Sequence, residues 1–530
     1  MTFSAAEIRV GPLGLTEALL LAAVCLLINP ETPEHEPYTM QAPVRGRWSA
    51  LHSPGQKLPS HGSRFLGQSA AVHILQPTKF CPRTNLGSVQ SMTVSSITGE
   101  SAATIADSVR DLIARGHLRP GEALPPVRAL AAAREVNRNT VATAYASLVT
   151  AGVVETRGRG GTIVRELVTV AGEGASSPGG TVNLADGNPD PDLLPPLPDL
   201  RGYSMRLYGA AGIDERLNRW AEEHIIPDAD SPGRLVLTHG AVDAVERVLY
   251  AHLARGDWVA VEDPCFLSSI GTFELNGFRV LPVPVDDQGM TPSGLDSALQ
   301  AGARAVVCTP RAHNPTGASI TGSRASELRT VLSPYPEVLV IEDDHFSGLA
   351  RTGYQRITPV STTRWALLRS VSKFLGPDLR LGVTYCDVDT ASRLQARLSA
   401  ATWVSHILQH LVAKILTDPS TPALLNHAGK VYAQRREWLT DALTNHGLRW
   451  LGGSDGFNVW IPLHESEPAV IAELQAKGWT VRPSSSFTLT PQSAIRVTTS
   501  TMTVDQAQRF ATDLATTLSS PLSTNLSTSD

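Results

Sequence analysis

One lysine stands out among the residues that could do chemistry. The long central stretch of the chain uses arginine for its positive charges and contains a single lysine, Lys373. Arginine cannot replace lysine where a primary amine must form a Schiff base, because the guanidinium stays protonated. Ser370 and Ser372 precede this lysine and Arg380 follows it. Such a group suits a cofactor that carries both an aldehyde and a phosphate.

Other polar groups follow predicted strands upstream. The run Ile341-Glu-Asp-Asp, which contains Asp343, follows a predicted strand, and a carboxylate at the carboxyl end of a strand can pair with a pyridinium nitrogen. Asn314, in His313-Asn-Pro-Thr-Gly, can donate a hydrogen bond to a phenolate oxygen, although this sequence is also an ordinary turn. The turn at Gly240, Ala241 and Val242 opens a predicted helix, whose backbone N–H groups suit a phosphate. Phe266 could stack on a ring or simply belong to the core.

These groups need a scaffold that brings the ends of several strands together. From about residue 182 to 518, short apolar strands alternate with amphipathic helices. The clearest predicted strands are 235–237, 258–261, 305–308 and 338–341. This alternation predicts an α/β domain with a mainly parallel sheet.

A different pattern precedes that domain. Three predicted helices begin near Ala102, Val127 and Asn137, and two short strands follow, around the basic, Gly-rich segment 157–160. Three helices and a β-hairpin are the plan of a winged helix-turn-helix, whose third helix enters the DNA major groove.

The start of the third helix carries Arg138, Asn139 and Thr140. Arginine can pair with guanine, asparagine with adenine, and threonine with a phosphate or a methyl group. Arg157 and Arg159 at the hairpin tip could reach a neighbouring groove or the DNA backbone. The alternative is an ordinary solvated helical domain, since the local excess of positive charge is small.

The N-terminal segment also resembles the GntR-type winged helix. Leu118-Arg-Pro-Gly-Glu-Ala-Leu-Pro-Pro-Val-Arg-Ala-Leu-Ala and Val136-Asn-Arg-Asn-Thr-Val keep the order and spacing of that family. The resemblance implies that Arg128, Arg138 and Thr140 lie at positions that contact DNA.

The motifs around Lys373 together resemble the fold-type I aminotransferases, with a large and a small subdomain. The resemblance implies that Lys373 holds pyridoxal 5′-phosphate (PLP) and is the catalytic residue. It assigns Asp343 to the pyridine nitrogen and Asn314 to the phenolate oxygen. It assigns the cofactor's phosphate to Ser370, Ser372, Arg380 and the turn Gly240-Ala241-Val242.

Three further residues carry expectations from the same resemblance. Tyr208 looks like the tyrosine that reaches the phosphate of a neighbouring subunit, and Arg496 looks like the arginine that pairs with an amino-acid carboxylate. His345 stands where many relatives have tyrosine. An imidazole can still bond the phenolate, but it ordinarily titrates near neutral pH, which bears on whether transamination occurs.

The composition limits the class of protein to which the chain can belong. The net charge of −5 excludes a strongly basic protein, and the five scattered cysteines predict neither a disulfide framework nor a metal site. The apolar run 18–28 is shorter than a membrane span needs, so a cytoplasmic protein without a membrane partner is expected. Residues 1–95 read as disordered or as an extension upstream of a true start at Met92.

The expected domains are a winged helix at 96–166, a flexible linker at 167–181, a PLP-binding domain at 182–518 and a disordered tail at 519–530. This combination resembles the MocR-type regulators. It implies a homodimer that binds an operator in double-stranded DNA and responds to an amino acid, an amine or PLP. Two alternatives remain: an active PLP-dependent aminotransferase with an accessory winged helix, and a PLP-free regulator that keeps the fold for dimerisation.

Overall fold

The computed structural model describes residues 96–166, 172–401, 403–453 and 455–519. The predictions for residues 1–95, including the apolar run and the start at Met92, lie outside the described residues. The same holds for the first part of the linker and for the tail beyond Ser519.

The N-terminal unit is a three-helix fold with a hairpin. Its elements are α1 (Ala102–Ala114), α2 (Val127–Arg134), α3 (Arg138–Thr150), β1 (Val154–Thr156) and β2 (Thr162–Val164). Ser101 and Thr104 form a capping box at the start of α1, and Asn137 caps α3 by accepting from the Asn139 N–H at 2.9 Å. The strands pair antiparallel, with Val154 opposite Val164. The predicted helices and hairpin are confirmed.

The periodic apolar residues of these helices form one core. Ile105 and Val109 of α1 meet Leu130 of α2 and Val141 and Leu148 of α3, and all five are fully buried. The helices are short, so their stability depends on this packing rather than on intrinsic propensity.

The large subdomain is built on an eight-stranded sheet. Its strands are β4 (Arg234–Thr238), β5 (Trp258–Asp263), β6 (Arg279–Asp286), β7 (Gly289–Met290), β8 (Ala305–Cys308), β9 (Leu339–Asp343), β10 (Trp365–Ser370) and β11 (Gly382–Cys386). They lie in the order β4-β11-β10-β9-β8-β5-β6-β7. The pairs from β10 to β6 are parallel, whereas β11 pairs antiparallel with both of its neighbours. The mainly parallel sheet is confirmed.

Both faces of this sheet are covered by helices, which explains the continuous apolar runs in its strands. One face, with Val259, Ala305 and Ile341, packs against α6 (Ala241–His252) and α10 (Val388–Ala401). The other, with Ala260 and Val306, packs against α8 (Pro292–Gln300) and α9 (Gly322–Leu332). The helices of this subdomain are α4 (Glu215–His224), α5 (Ile226–Ala229), α6, α7 (Leu267–Asn276), α8 (Pro292–Gln300), α9 (Gly322–Leu332), α10 and α11 (His406–Leu416).

A smaller subdomain follows the long helix α12 (Thr421–Asn445). Its elements are β12 (Asn458–Pro462), α13 (Glu467–Ala476), β13 (Trp479–Thr480), β14 (Arg482–Pro483), β15 (Ala494–Thr498) and α14 (Val504–Ser519). Three of these strands form an antiparallel sheet in the order β12-β15-β14. The short strand β3 (Val182–Asn183) pairs with β13, so the chain leaving the linker joins this subdomain. The large and small subdomains expected from the sequence are both present.

Among the residues that the structure describes, no helix is both long and apolar enough to cross a lipid bilayer.

Leu148→Ala tests the core of the winged helix. Leu148 is fully buried, so the substitution should cost about 2 to 5 kcal/mol of that unit's unfolding free energy. Hydrogen exchange of α3 amides in the full chain measures this cost. The control is Val149→Ala at the next, 39% exposed position, which should change stability by less than about 0.5 kcal/mol. Equal effects of the two substitutions would contradict this packing.

Candidate cofactor site and DNA-binding surface

The carboxyl ends of the parallel strands open onto a cavity of about 380 Å³. Asn314 follows β8, Asp343 ends β9 and Ser370 ends β10, so neighbouring strands deliver these three side chains to one edge of the sheet. The predicted residues that line the cavity are Ala241, Val242, Phe266, Asn314, Asp343, His345, Ser370, Ser372, Lys373 and Arg380. The fold therefore brings together predicted residues that are far apart in the chain.

Three consecutive acids at the end of β9 have different surroundings. Glu342 accepts a hydrogen bond from the Tyr354 hydroxyl at 2.8 Å. Asp344 is fully buried and accepts from Arg311 Nε at 2.9 Å. Asp343 alone of the three lines the cavity. Because successive side chains of a strand point to opposite faces, Asp343 lines the cavity and its two acidic neighbours do not.

Asp343 offers an unused acceptor to the cavity. Its buried Oδ1 atom has no hydrogen-bond partner. Burial, together with the nearby charge of Asp344, raises the pKa of Asp343 to about 7. A buried carboxylate oxygen in this condition needs a donor, and the protonated nitrogen of a heteroaromatic ring would supply one.

Lys373 presents its amine on the same cavity. Nζ donates to the backbone oxygen of Gly187 at 2.9 Å and lies 5.5 Å from the centre of the Phe457 ring. Burial lowers the pKa of Lys373, and the charge of Glu173 opposes that shift. A lowered pKa increases the fraction of free amine, which is the form that attacks a carbonyl.

Two hydroxyls, a guanidinium and the start of a helix also line the cavity. The Ser370 hydroxyl donates to Ser372 Oγ at 3.2 Å, and Arg380 lines the same cavity. Gly240 precedes α6 with φ of 91°, a conformation that favours glycine, and an added Cβ would lie 3.8 Å from the Arg380 guanidinium. The first N–H groups of a helix lack intrahelical partners, so this end suits an anion.

The structure corrects one expectation about His345. Burial, with the adjacent charge of Lys373, lowers the pKa of His345 to about 4. The imidazole is therefore neutral at physiological pH and does not titrate near neutrality. A neutral imidazole can still donate one hydrogen bond.

Arg496 is placed beside the cavity rather than on its wall. It is fully buried, and its guanidinium forms two hydrogen bonds with the Glu173 carboxylate, Nη1 to Oε1 at 2.6 Å and Nη2 to Oε2 at 2.8 Å. Asn314 Nδ2 also donates to Glu173 Oε1, at 2.8 Å. Glu173 was not among the predicted residues, because it lies in a stretch whose Gly- and Ser-rich composition is typical of a flexible linker.

Tyr208 lies away from the cavity of its own chain. Its side chain is 91% exposed and contacts the edge of Trp403, with the ring centres 5.4 Å apart. Met205 and Leu207 beside it are also largely exposed. The expected role of Tyr208 at a phosphate requires a second subunit.

Among the described residues, the start of α3 presents polar side chains at the surface. Arg138 and Asn139 are exposed, Thr140 is half-buried, and Arg128 and Arg157 are exposed nearby in sequence or on the wing. The Arg157 guanidinium pairs with Glu155, Nε to Oε1 at 2.7 Å. The side chain of Arg159 lies outside the described part of the chain.

Comparison with known proteins agrees with this geometry. Residues 206–514 match the family Aminotransferase class I and II, and residues 101–164 match Bacterial regulatory proteins, gntR family. The chain is 44% identical to the Vitamin B6 salvage pathway transcriptional repressor PtsJ of Salmonella typhimurium, over 79% of this chain and 98% of that protein. It is 26% identical to the HTH-type pyridoxine biosynthesis transcriptional regulator PdxR of Corynebacterium glutamicum, over 71% and 86% of the two chains.

The chain belongs to the MocR-type transcription regulators. This MocR-type protein is a PLP-dependent regulator that binds DNA through its GntR-type winged helix. The expected architecture, a winged helix-turn-helix followed by a fold-type I domain, is confirmed.

Solved structures confirm the fold of the regulator's second domain. A kynurenine aminotransferase from Pyrococcus horikoshii matches with a TM-score of 0.55 and 20% identity, over 64% of this chain and 91% of that one. LysN, an α-aminoadipate aminotransferase from Thermus thermophilus, matches with a TM-score of 0.56 and 22% identity, over 64% and 92%. At these identities the likeness establishes the fold alone.

The cavity residues of the regulator fit PLP. The unpartnered Asp343 oxygen suits the ring nitrogen, the Lys373 amine suits the aldehyde, and the anion-binding end suits the phosphate. The donor set therefore matches the three functional groups of the cofactor.

The Asp343→Asn variant tests the buried carboxyl group without cofactor. The pKa of Asp343 is about 7 in the folded protein and about 4 in an unfolded chain. The protonated Asp343 side chain therefore makes its full contribution to the free energy of unfolding below about pH 4, and this contribution is lost as the pH rises through about 7. Between about pH 4 and 7, the free energy of unfolding of the cofactor-free wild type should fall by up to about 4 kcal/mol relative to that of the variant. Urea unfolding at several pH values measures the difference, and parallel pH profiles would contradict the burial of Asp343.

Proposed function

We propose that this regulator controls transcription by coupling occupancy of its PLP site to operator binding. The main support for this proposal is the Asp343 oxygen without a hydrogen-bond partner, in a cavity that the Lys373 amine also lines. A regulator that used the fold for dimerisation alone would have no need of this arrangement. The similarity to PtsJ and PdxR supports control of genes for vitamin B6 metabolism, with PLP, an amino acid or an amine as the effector.

Each side chain has a separate role in this proposal. Lys373 anchors the cofactor through its amine, and Asp343 holds a proton on the ring nitrogen. Asn314 and the neutral His345 orient the phenolate oxygen. The phosphate is held by Ser370, Ser372, Arg380 and the turn Gly240-Ala241-Val242, while Phe266 covers the ring. When bound, PLP supplies a carbonyl that combines with amines and a ring that withdraws electrons.

The proposal includes a homodimer in the cytoplasm. The exposure of Tyr208, Leu207 and Met205 supports an apolar contact with a second copy, which would bring the Tyr208 hydroxyl to its partner's phosphate end. Two winged helices in a dimer would read two half-sites of an operator.

A working aminotransferase is a weaker candidate. Such an enzyme must bind the carboxylate of one substrate after another at Arg496, and each substrate would first have to displace Glu173, which makes two hydrogen bonds with it. In this alternative the winged helix is only an accessory unit, which does not account for its exposed arginines.

Lys373→Ala tests the cofactor assignment. The wild type with added PLP should show a pH-sensitive absorbance band near about 420 nm, as expected for PLP joined to a lysine, and the variant should lack it. Asp343→Asn should keep the band but weaken PLP binding roughly tenfold to a hundredfold, because a charge-assisted hydrogen bond is lost. An unchanged spectrum in Lys373→Ala would remove the assigned anchor.

Arg138→Ala tests the DNA-reading role of α3. An operator is first selected from random duplexes with the full-length protein. The variant should then lose about 1 to 3 kcal/mol of operator binding and discriminate less against one base. The control is Arg110→Ala, an exposed residue of α1 paired with Asp107 at 3.0 Å, which should bind like wild type. Equal operator affinity in Arg138→Ala and wild type would place the contact elsewhere.

A further inference from the structure

The Glu173–Arg496 pair has the geometry of a bound ligand. Two parallel hydrogen bonds join the guanidinium to both carboxylate oxygens, at 2.6 and 2.8 Å. This fork is how arginine recognises a carboxylate with the highest geometric specificity. A third donor, Asn314 Nδ2, lies 2.8 Å from Glu173 Oε1. A side chain from the linker thus fills a site that the resemblance to the aminotransferases assigns to the carboxylate of an amino acid.

Arg496 needs such a partner at all times. Its side chain is 0% exposed, and its other contacts are neutral: the Ala185 oxygen at 2.9 Å, Asn314 Oδ1 at 3.2 Å and the Phe487 ring at 4.8 Å. Within the described residues, Glu173 is the carboxylate with which it forms an ion pair. A buried guanidinium without a counter-charge is strongly disfavoured. Glu173 can therefore leave only if another carboxylate takes its place.

Neighbouring contacts tie the linker to the site around this pair. The Gly172 oxygen accepts from Arg482 Nη2 at 3.0 Å, and the Gly174 N–H donates to the Asp186 oxygen at 2.7 Å. Gly187 leaves the space that the Glu173 carboxylate occupies, because an added Cβ there would overlap it. The predicted flexible linker is therefore anchored over residues 172–175, close in sequence to the last strand of the winged helix.

We propose that Glu173 is a built-in competitor for the carboxylate of an α-amino acid effector. The effector's carboxylate replaces Glu173 on Arg496, and the released linker then changes the freedom of the winged helix to take up its DNA-binding arrangement. The inference rests on the proposed function, and it narrows the effector to amino compounds that carry a carboxylate. An amine without one leaves Glu173 in place.

The test compares glycine with methylamine, which has an amino group but no carboxylate, on PLP-loaded full-length protein. Both are titrated by absorbance into wild type, Glu173→Gln, Glu173→Ala and the control Glu166→Gln, an exposed carboxylate at the other end of the linker. The dissociation constant of glycine should fall at least about tenfold in both Glu173 variants, because no charge-assisted fork has to be displaced. That of methylamine should change by less than about twofold, and Glu166→Gln should match wild type.

Hydrogen exchange of the peptide 172–180 supplies a second readout. Saturating glycine should remove amide protection from this peptide in wild type, whereas methylamine should not. In both Glu173 variants the peptide should be unprotected without any ligand.

Three outcomes would overturn the inference: equal glycine affinity in wild type and the Glu173 variants, glycine binding to none of them, or a linker that stays protected under saturating glycine. The proposed function fails separately. Its failure would appear as absence of the PLP band or of operator binding in the wild type. Even then, the contact between Glu173 and Arg496 can be tested without cofactor, by comparing the amide protection of the linker in the wild type and in Glu173→Gln.

Discussion

The site depends on one buried carboxylate that ties three strand ends together. Asp344, directly after β9, accepts from Arg311 Nε at 2.9 Å and from Arg369 Nε at 2.8 Å. Arg311 follows β8 and Arg369 lies on β10, so a single charge network fixes the edge at which Asn314, Asp343 and Lys373 meet. The charges are paired and hydrogen-bonded, which is the condition for keeping them buried. Asp343, next to this network, keeps a free oxygen for the cofactor.

Much of this arrangement could be predicted from the sequence. Lys373 stood out as the single lysine in a stretch that otherwise uses arginine, and Asp343 and Asn314 stood out as polar residues at the ends of apolar strands. Their roles were assigned by the resemblance to the aminotransferases. The winged helix was predictable because its helices, cap and hairpin are local features. The antiparallel direction of β11 was not, since strand direction depends on the connection and not on strand composition. Burial also decided the neutral state of His345, which its residue type could not reveal.

Glu173 shows most clearly what sequence patterns miss. Its partner Arg496 lies 323 residues further along the chain, and the surrounding glycines and serines indicate only flexibility. The tertiary fold supplies a buried positive charge, and the linker supplies the nearest negative one. The cofactor site and the chain leading to the winged helix are consequently joined by the same ion pair. An effector acts through such a contact only if it favours one of the two arrangements.

We propose that occupancy of the PLP site in this regulator alters operator binding. The most direct measurement is the operator affinity of one preparation of full-length protein, determined first without cofactor and then after loading with PLP, at a single salt concentration. We expect the operator affinity to change by at least about fivefold, which is the lower range of coupling between two sites. Identical affinities in the two forms, with the PLP band present after loading, would contradict it.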